Sequence, residues 1–162
     1  MTGAPPQLLV LGYGNTLRRD DGVGVKAAEK LAGLELPGVE VMTRHQLLPE
    51  MAEKVSQFEV VVFIDAAVRA GALTTLMPLE PAAVSQLMAH ATDPRSLLAM
   101  SRELYGYHPT GFARAIPGED FGFGDGLSPR AEQGMQAAIN LLREFALHLP
   151  KINHSPMPAR AA

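Results

Sequence analysis

Two aspartates and one histidine are the residues of this sequence whose types and placement suit metal-assisted chemistry. Asp21 lies in a polar loop after an apolar run, Asp65 ends a second apolar run, and His90 precedes a predicted helix. Because the carboxyl ends of neighbouring parallel strands meet at one edge of a sheet, both carboxylates are expected there, with His90 reaching them from the loop above. Two carboxylates and an imidazole suit a divalent ion of the nickel or zinc kind.

Asp21 belongs to a stretch, residues 7–24, that reads QLLVLGYGNTLRRDDGVG. Its apolar run at 8–11 predicts a strand that is buried on both faces, because no polar residue interrupts it. Gly12 and Gly14 then end the strand where a Cβ would resist the backbone conformation. The polar loop that follows leads into a predicted helix, and open α/β sheets usually bind their ligands at loops in this position.

The aspartate pair in this loop has two other interpretations. Asp20 or Asp21 could cap the helix that follows, because an aspartate accepts hydrogen bonds from the free N–H groups of a first turn. The pair weakens this interpretation, since a helix needs only one N-cap residue. The loop could also bind a dinucleotide, but the third glycine of the G-x-G-x-x-G pattern is missing and two acids would repel a pyrophosphate.

The other two candidates also have structural interpretations. A carboxylate that ends a strand, as Asp65 does, also suits a turn. A lone histidine before a helix, such as His90, is commonly a surface residue. His45, which follows a predicted second strand, shares this ambiguity.

Composition limits the class of protein. With 162 residues, 47% of them hydrophobic, the chain predicts one domain over residues 1–150, followed by a flexible C-terminal tail at 151–162. The net charge of −3 and the absence of a basic patch argue against a nucleic-acid partner. The sequence has no cysteine, which excludes disulfides, thiolate zinc sites and a cysteine nucleophile. No signal pattern and no membrane-spanning apolar run is present, so we expect a cytoplasmic protein.

The alternation of predicted strands and helices indicates an α/β fold. We expect a three-layer sandwich with a mostly parallel, twisted sheet of about five strands, one of them antiparallel, and helices on both faces. The run at 58–65 predicts the central strand, because it is rich in β-branched and aromatic residues. The next strand is predicted at 73–77 and should be antiparallel to it, because a parallel crossover needs a dozen or more residues.

Two proline-containing caps place the later helices. Asp93-Pro94 predicts the start of a helix that runs to about residue 105 and buries Leu97, Leu98 and Leu104. Ser128-Pro129 predicts the start of the longest helix, after a glycine-rich and proline-rich loop at 117–127.

Five segments, in this order, resemble the hydrogenase maturation endopeptidases. They are GYGNTLRRDDGVG at 12–24, HQLLPEMAE at 45–53, VVFIDAAV at 61–68, HATDPRSLLAMSRELYG at 90–106 and EDFGFGDGLSP at 119–129. The first matches the G-x-G-N-x-L-x-x-D-[DE]-x-x-G signature of that family, and together they span nearly all of the predicted domain.

This resemblance implies an activity, a partner and a set of site residues. Enzymes of this family remove a C-terminal extension from the large-subunit precursor of nickel-iron hydrogenase after nickel has been inserted. Their metal-contacting side chains correspond here to Asp21, Asp65 and His90, which are the predicted catalytic and metal-contacting residues. His45 is expected to help position the substrate.

The metal is expected to come from the client protein. Three protein ligands without a thiolate should bind a divalent ion weakly and leave coordination positions open. Nickel that the precursor already holds could fill this role, so the protein should carry no tightly bound metal of its own. We expect it to act as a monomer with neither a membrane nor a nucleic acid as partner.

Alternatives to this mechanism and function remain open at the level of the sequence. A metal ion could activate water and polarise the peptide carbonyl, or the two carboxylates could act alone as base and acid. A serine triad is not favoured, because the sequence has no G-x-S-x-G motif. A non-proteolytic nickel-sensing or metal-delivery module for hydrogenase assembly is the main alternative function, and a nucleotide-binding oxidoreductase is another.

Overall fold

A computed structural model of the protein describes residues 7–68 and 75–149. Within these ranges, the chain forms five strands and four α-helices. The strands are β1 (Leu8–Tyr13), β2 (Val39–Arg44), β3 (Val60–Ala67), β4 (Met77–Leu79) and β5 (Thr110–Pro117). The helices are α1 (Val23–Gly33), α2 (Met51–Val55), α3 (Pro94–Tyr105) and α4 (Pro129–Leu147). The predicted tail at 151–162 and the start of the strand predicted at 73–77 lie outside the described residues.

The five strands form one mixed sheet in the order β2-β1-β3-β5-β4. Strands β2, β1, β3 and β5 are parallel to one another, and β4 is antiparallel to β5. The predicted α/β class, the central position of β3 and the single antiparallel strand are therefore confirmed. Because β4 pairs with β5, it is antiparallel to β3 in direction without being its neighbour.

Both faces of the sheet are covered by helices. Leu8 and Val10 of β1 pack with α1 and α4 on one face. Leu9 and Leu11 pack with α2 and α3 on the other face. This alternation explains why β1 is an unbroken apolar run, since every second side chain enters a different core. None of the described helices is long and apolar enough to cross a membrane.

Both predicted helix starts are confirmed. The Asp93 carboxylate accepts a hydrogen bond from the Arg95 amide at 2.9 Å, and Pro94 is the first helical residue. Ser128 caps α4 in the same way through its hydroxyl group. These two caps fix where α3 and α4 begin at the sheet edge.

The prediction that Leu104 is buried is wrong. Leu97 and Leu98 are fully buried as expected, but the side chain of Leu104 is 67% exposed. The last turn of α3 packs on the core through Tyr105 instead. The Ser101 hydroxyl donates to the Ala52 carbonyl of α2 at 2.9 Å and so links these two helices.

Candidate active site

The structure brings Asp21 and Asp65 together at the carboxyl edge of the sheet. Strands β1 and β3 are direct neighbours, with Gly12 paired to Ile64, so Asp65 is the next residue along β3. Asp21 lies in a 3-10 turn, Arg19–Gly22, that follows β1. The two side chains are close enough for the negative charge of Asp21 to raise the pKa of Asp65.

Glycines allow the loop with Asp21 to fold back tightly on the sheet. Gly14 has a φ of +142°, and a Cβ at this position would overlap the carbonyl oxygen of Asp21. A Cβ on Gly24 would likewise overlap the carbonyl oxygen of Ile64. The Asn15 amide then donates to the Asp21 carboxylate at 2.8 Å, which fixes that carboxylate beside the end of β1. The G-x-G-N pattern thus shapes a loop around an acid.

Asp65 has a carboxyl group whose pKa lies well above its ordinary value. Burial raises its pKa from 3.8 to about 6, and the charge of Asp21 acts in the same direction. Hydrogen bonds from the Ala66 amide, at 2.7 Å, and from the Tyr13 side chain oppose this rise. A carboxyl group with such a pKa can take up and release a proton under cellular conditions.

Tyr13 is a site residue that the sequence interpretation missed. Burial raises the pKa of its hydroxyl group, and the charges of Asp65 and Asp93 raise it further. The hydroxyl therefore stays protonated and serves as a hydrogen-bond donor to Asp65. Its position as the last residue of β1, at the carboxyl edge of the sheet, is the signal that could have identified it.

Asp20 has a role different from that of its neighbour. Its side chain is fully buried and accepts hydrogen bonds from the amides of Glu119 at 2.8 Å, Asp120 at 3.0 Å and Ser128 at 2.8 Å. The Ser128 hydroxyl donates a fourth bond at 2.7 Å. Burial alone would raise the pKa of Asp20, but these four bonds outweigh burial and lower it.

The capping interpretation of the aspartate pair is wrong. The N-cap residue of α1 is Gly22, and no side chain makes a capping hydrogen bond to this helix. Asp20 instead ties down the loop between β5 and α4, whereas Asp21 remains partly exposed beside Asp65. Each acid of the pair therefore has a separate task.

The loop between β5 and α4 is bonded to the loop that carries Asp21. Its Gly124 amide donates to the Leu17 carbonyl at 2.9 Å, and its Gly124 carbonyl accepts from the Arg19 amide at 3.2 Å. Arg18 donates through Nε to the Phe121 carbonyl at 3.1 Å. Together with the Asp20 bonds, these contacts join the two loops into one unit.

His90 lies in the turn that precedes α3, and it is exposed. Its carbonyl accepts from the Asp93 amide at 2.9 Å, and the charge of Asp93 reaches Tyr13. In the part of the chain that the structure describes, no three histidine, aspartate or glutamate side chains are grouped closely enough to hold a metal ion. The structure thus brings two of the three predicted ligands together, and the metal role of His90 stays a prediction. His45 is exposed just beyond the end of β2.

No protein-family model and no curated protein matches this sequence. Solved structures do match. The hydrogenase maturating endopeptidase HybD from E. coli has a TM-score of 0.64 and 24% identity, covering 84% of this chain and 89% of that chain. The [NiFe] hydrogenase maturation protease HycI from Thermococcus kodakarensis KOD1 has a TM-score of 0.64 and 22% identity, covering 88% and 93%.

A third solved structure agrees with these two. The [NiFe] hydrogenase maturation protease HybD from Thermococcus kodakarensis has a TM-score of 0.60 and 21% identity, with coverage of 86% of this chain and 99% of that chain. The chain therefore has the α/β fold of these proteins over nearly their whole length. The resemblance that the sequence motifs indicate extends to the three-dimensional fold.

Proposed function

We propose that this chain is an endopeptidase that removes the C-terminal extension of a nickel-iron hydrogenase large-subunit precursor after nickel insertion. The observation that carries this proposal is the Asp21–Asp65 pair at the carboxyl edge of the sheet, in which Asp65 has a pKa of about 6. The fold shared with solved hydrogenase maturation proteases supports it. The motif set that runs through both carboxylates supports it as well.

The two carboxylates suit peptide hydrolysis. Cleavage of a peptide bond at neutral pH needs an activated water and a polarised carbonyl group. Asp65 is mostly ionised above pH 6 and can accept a proton from water, and its hydrogen bond from Tyr13 keeps the acceptor oxygen oriented. Asp21 is held by the Asn15 amide, so it can bind a cation or steer water without moving.

In this proposal the nickel belongs to the substrate. Carboxylate oxygens are acceptable ligands for a divalent ion, and Asp21 and Asp65 leave most of its coordination positions open. Ligands of the client's own nickel site would occupy the rest, with His90 as a further donor from this chain. Docking and permission to cleave would then be one event, because the protease completes the coordination shell only around a loaded client.

Mass spectrometry of a co-expressed large subunit tests the proposal. Wild-type protein should shorten the precursor by its C-terminal extension, whereas Asp21→Asn and Asp65→Asn should leave it at full length. Glu144→Gln is the matched control, because that side chain is 63% exposed and lies near the end of α4, outside the loops at the carboxyl edge of the sheet. It should cleave like the wild type.

Two outcomes would contradict the proposal. If the precursor keeps its full mass with wild-type protein, the peptidase assignment fails. If it also remains in a stable complex with the chain, a non-proteolytic nickel-sensing module becomes the better account. If Asp65→Asn cleaves at the wild-type rate, the site assignment fails while the activity stands.

A further inference from the structure

Four large apolar side chains of the described residues project far into solvent. Leu17, Val68, Met88 and Phe123 are 71%, 76%, 95% and 84% exposed. These are the highest values among the exposed large hydrophobic residues that the structure describes, and Leu104 follows at 67%. We refer to these four residues as the apolar rim.

Three of the four members belong to loops that leave the sheet at the site edge, and the fourth lies in the segment that precedes α3. Leu17 follows β1, Val68 follows β3 and Phe123 follows β5, and these three strands are parallel, so their loops leave the sheet at the same edge. Met88 lies in the segment that leads into α3 at Asp93, whose charge reaches Tyr13. Apolar exposure is thus concentrated where the carboxylates are.

The rim is held in its exposed position by polar contacts. The Leu17 carbonyl accepts a hydrogen bond from the Gly124 amide. The guanidinium carbon of Arg18 lies over the Phe123 ring, 5.4 Å from the ring centroid. The Ala67 carbonyl next to Val68 accepts from the Gly118 amide at 2.9 Å. Backbone hydrogen bonds and a cation–π contact therefore hold these loops in place. Their apolar side chains stay exposed, although exposure of apolar surface to water is unfavourable.

We propose that the apolar rim, together with Arg18, binds the folded body of the client precursor, through an apolar surface that carries a carboxylate opposite Arg18. This inference rests on the proposed function. Side chains from four separate segments make a broad surface that suits a folded protein better than a single extended peptide. Among the residues that the structure describes, Arg18 makes no ion pair, so its exposed charge is available to an acidic group.

Binding measurements that do not depend on cleavage test the rim. The Asp21→Asn chain is titrated with a hydrogenase large-subunit precursor produced with its nickel inserted, so that the precursor is not consumed. Adding Met88→Ser and Phe123→Ser together should raise the Kd at least tenfold. Adding Leu104→Ser, at the far end of α3, is the matched control and should leave the Kd unchanged.

The charge component needs its own pair of variants. Arg18→Glu should weaken binding more than Arg18→Lys, because only the former places a like charge opposite the client's carboxylate. Met88→Ser alone guards against a folding artefact, since its side chain is almost wholly in solvent and makes no core contact. Thermal unfolding of every variant is measured alongside the Kd.

Failure of the rim and failure of the proposed function give different results. If wild-type protein cleaves the precursor and the double rim variant does so with unchanged KM and Kd, the rim assignment is overturned and the peptidase stands. If no precursor is cleaved but the rim variants still lose binding, the rim stands and the peptidase fails. If wild type self-associates, and the rim variants become monomeric with an unchanged Kd for the client, the surface belongs to a second copy of this chain and the assignment is again overturned.

Discussion

Asp20 accepts two hydrogen bonds from Ser128, one from its backbone amide at 2.8 Å and one from its hydroxyl group at 2.7 Å. The same hydroxyl accepts from the Ala131 amide and so caps α4. A buried acid next to the candidate catalytic residue therefore sets the start of the longest helix. The loop between β5 and α4, which carries Phe123 of the apolar rim, is fixed at its α4 end by this contact and at its β5 end by the bonds from the Glu119 and Asp120 amides to Asp20.

The first prediction concerns this buried acid. Asp20→Ala should lower the free energy of unfolding by about 2–4 kcal/mol, because it leaves three backbone amides and a hydroxyl group without their acceptor. Urea denaturation measures the change. Asp125→Ala is the control and should alter stability by less than about 0.5 kcal/mol, since its side chain lies in solvent. An Asp20→Ala protein as stable as the control would contradict the proposed role of the contact.

The second prediction concerns the dependence of stability on pH. The pKa of Asp65 is raised to about 6 in the folded protein, so the folded state binds a proton that the unfolded chain releases. The contribution of Asp65 to the free energy of unfolding is therefore present at low pH and is lost as the pH rises through about 6. Asp65→Asn should therefore be more stable than wild type at about pH 7.5, by roughly 2–3 kcal/mol, and the difference should shrink to a few tenths near pH 3.5.

Chemical denaturation across this pH range checks the second prediction. Asp125→Asn provides the comparison, because it removes a carboxylate that is 97% exposed and not buried like that of Asp65. A difference between Asp65→Asn and wild type that stays flat, or grows toward low pH, would show that Asp65 does not hold its proton as described.

The third prediction concerns Tyr13. Its hydroxyl group donates to Asp65 and lowers the pKa of that carboxyl group, so Tyr13→Phe should raise the pKa above about 6. Titration of the Asp65 side-chain carboxyl carbon by NMR measures this shift directly. Tyr105→Phe, on α3, should leave the titration curve in place. A fall in the Asp65 pKa on removal of the Tyr13 hydroxyl would rule out this hydrogen bond.

Local patterns were enough to predict most of the fold. An unbroken apolar run predicts β1, because strands covered on both faces bury every residue, and Asp93-Pro94 predicts the start of α3, because both residues suit a helix N-terminus. Leu104 was misassigned because helical periodicity does not show where the neighbouring helix ends. The last turn of α3 packs on the core through Tyr105 instead of Leu104.

The site was predictable in part, and the limit has a physical cause. Asp21 follows β1, and Asp65 is the third residue from the end of β3. Because the carboxyl ends of neighbouring parallel strands lie at one edge of a sheet, the sequence could place both acids there. The partners of Asp20 lie about a hundred residues away along the chain, and nothing local in the sequence indicates them. The burial that raises the Asp65 pKa also depends on packing that a linear pattern does not show.

The fourth prediction concerns His90. If this imidazole completes the metal contacts, His90→Ala should abolish precursor cleavage while leaving the unfolding curve nearly unchanged, because exposed side chains contribute little to stability. His148→Ala is the matched control, since that exposed histidine lies at the end of α4 and should retain full activity. His45→Ala should lose activity only in part, through substrate positioning. Wild-type cleavage by His90→Ala would remove His90 from the site.

The fifth prediction concerns the source of the metal. Asp21 and Asp65 are two oxygen ligands without a thiolate, so the chain alone should hold divalent ions weakly. Nickel in a loaded precursor is already bound by the client, and the two carboxylates would only complete its coordination. Purified protein should therefore contain well under one metal ion per chain and should cleave nickel-loaded precursor but not nickel-free precursor.

Elemental analysis of the purified protein and cleavage assays with both precursor forms check this fifth prediction. Free zinc or nickel added to the protease should not make it cut nickel-free precursor, because the metal must sit in the client's own ligands to mark the bond that is cleaved. Nickel-free precursor with the metal site of the client removed by mutation serves as the matched control. Efficient cleavage of nickel-free precursor by metal-stripped protein would contradict the proposal and favour the carboxylate pair acting alone, with Asp65 as the base.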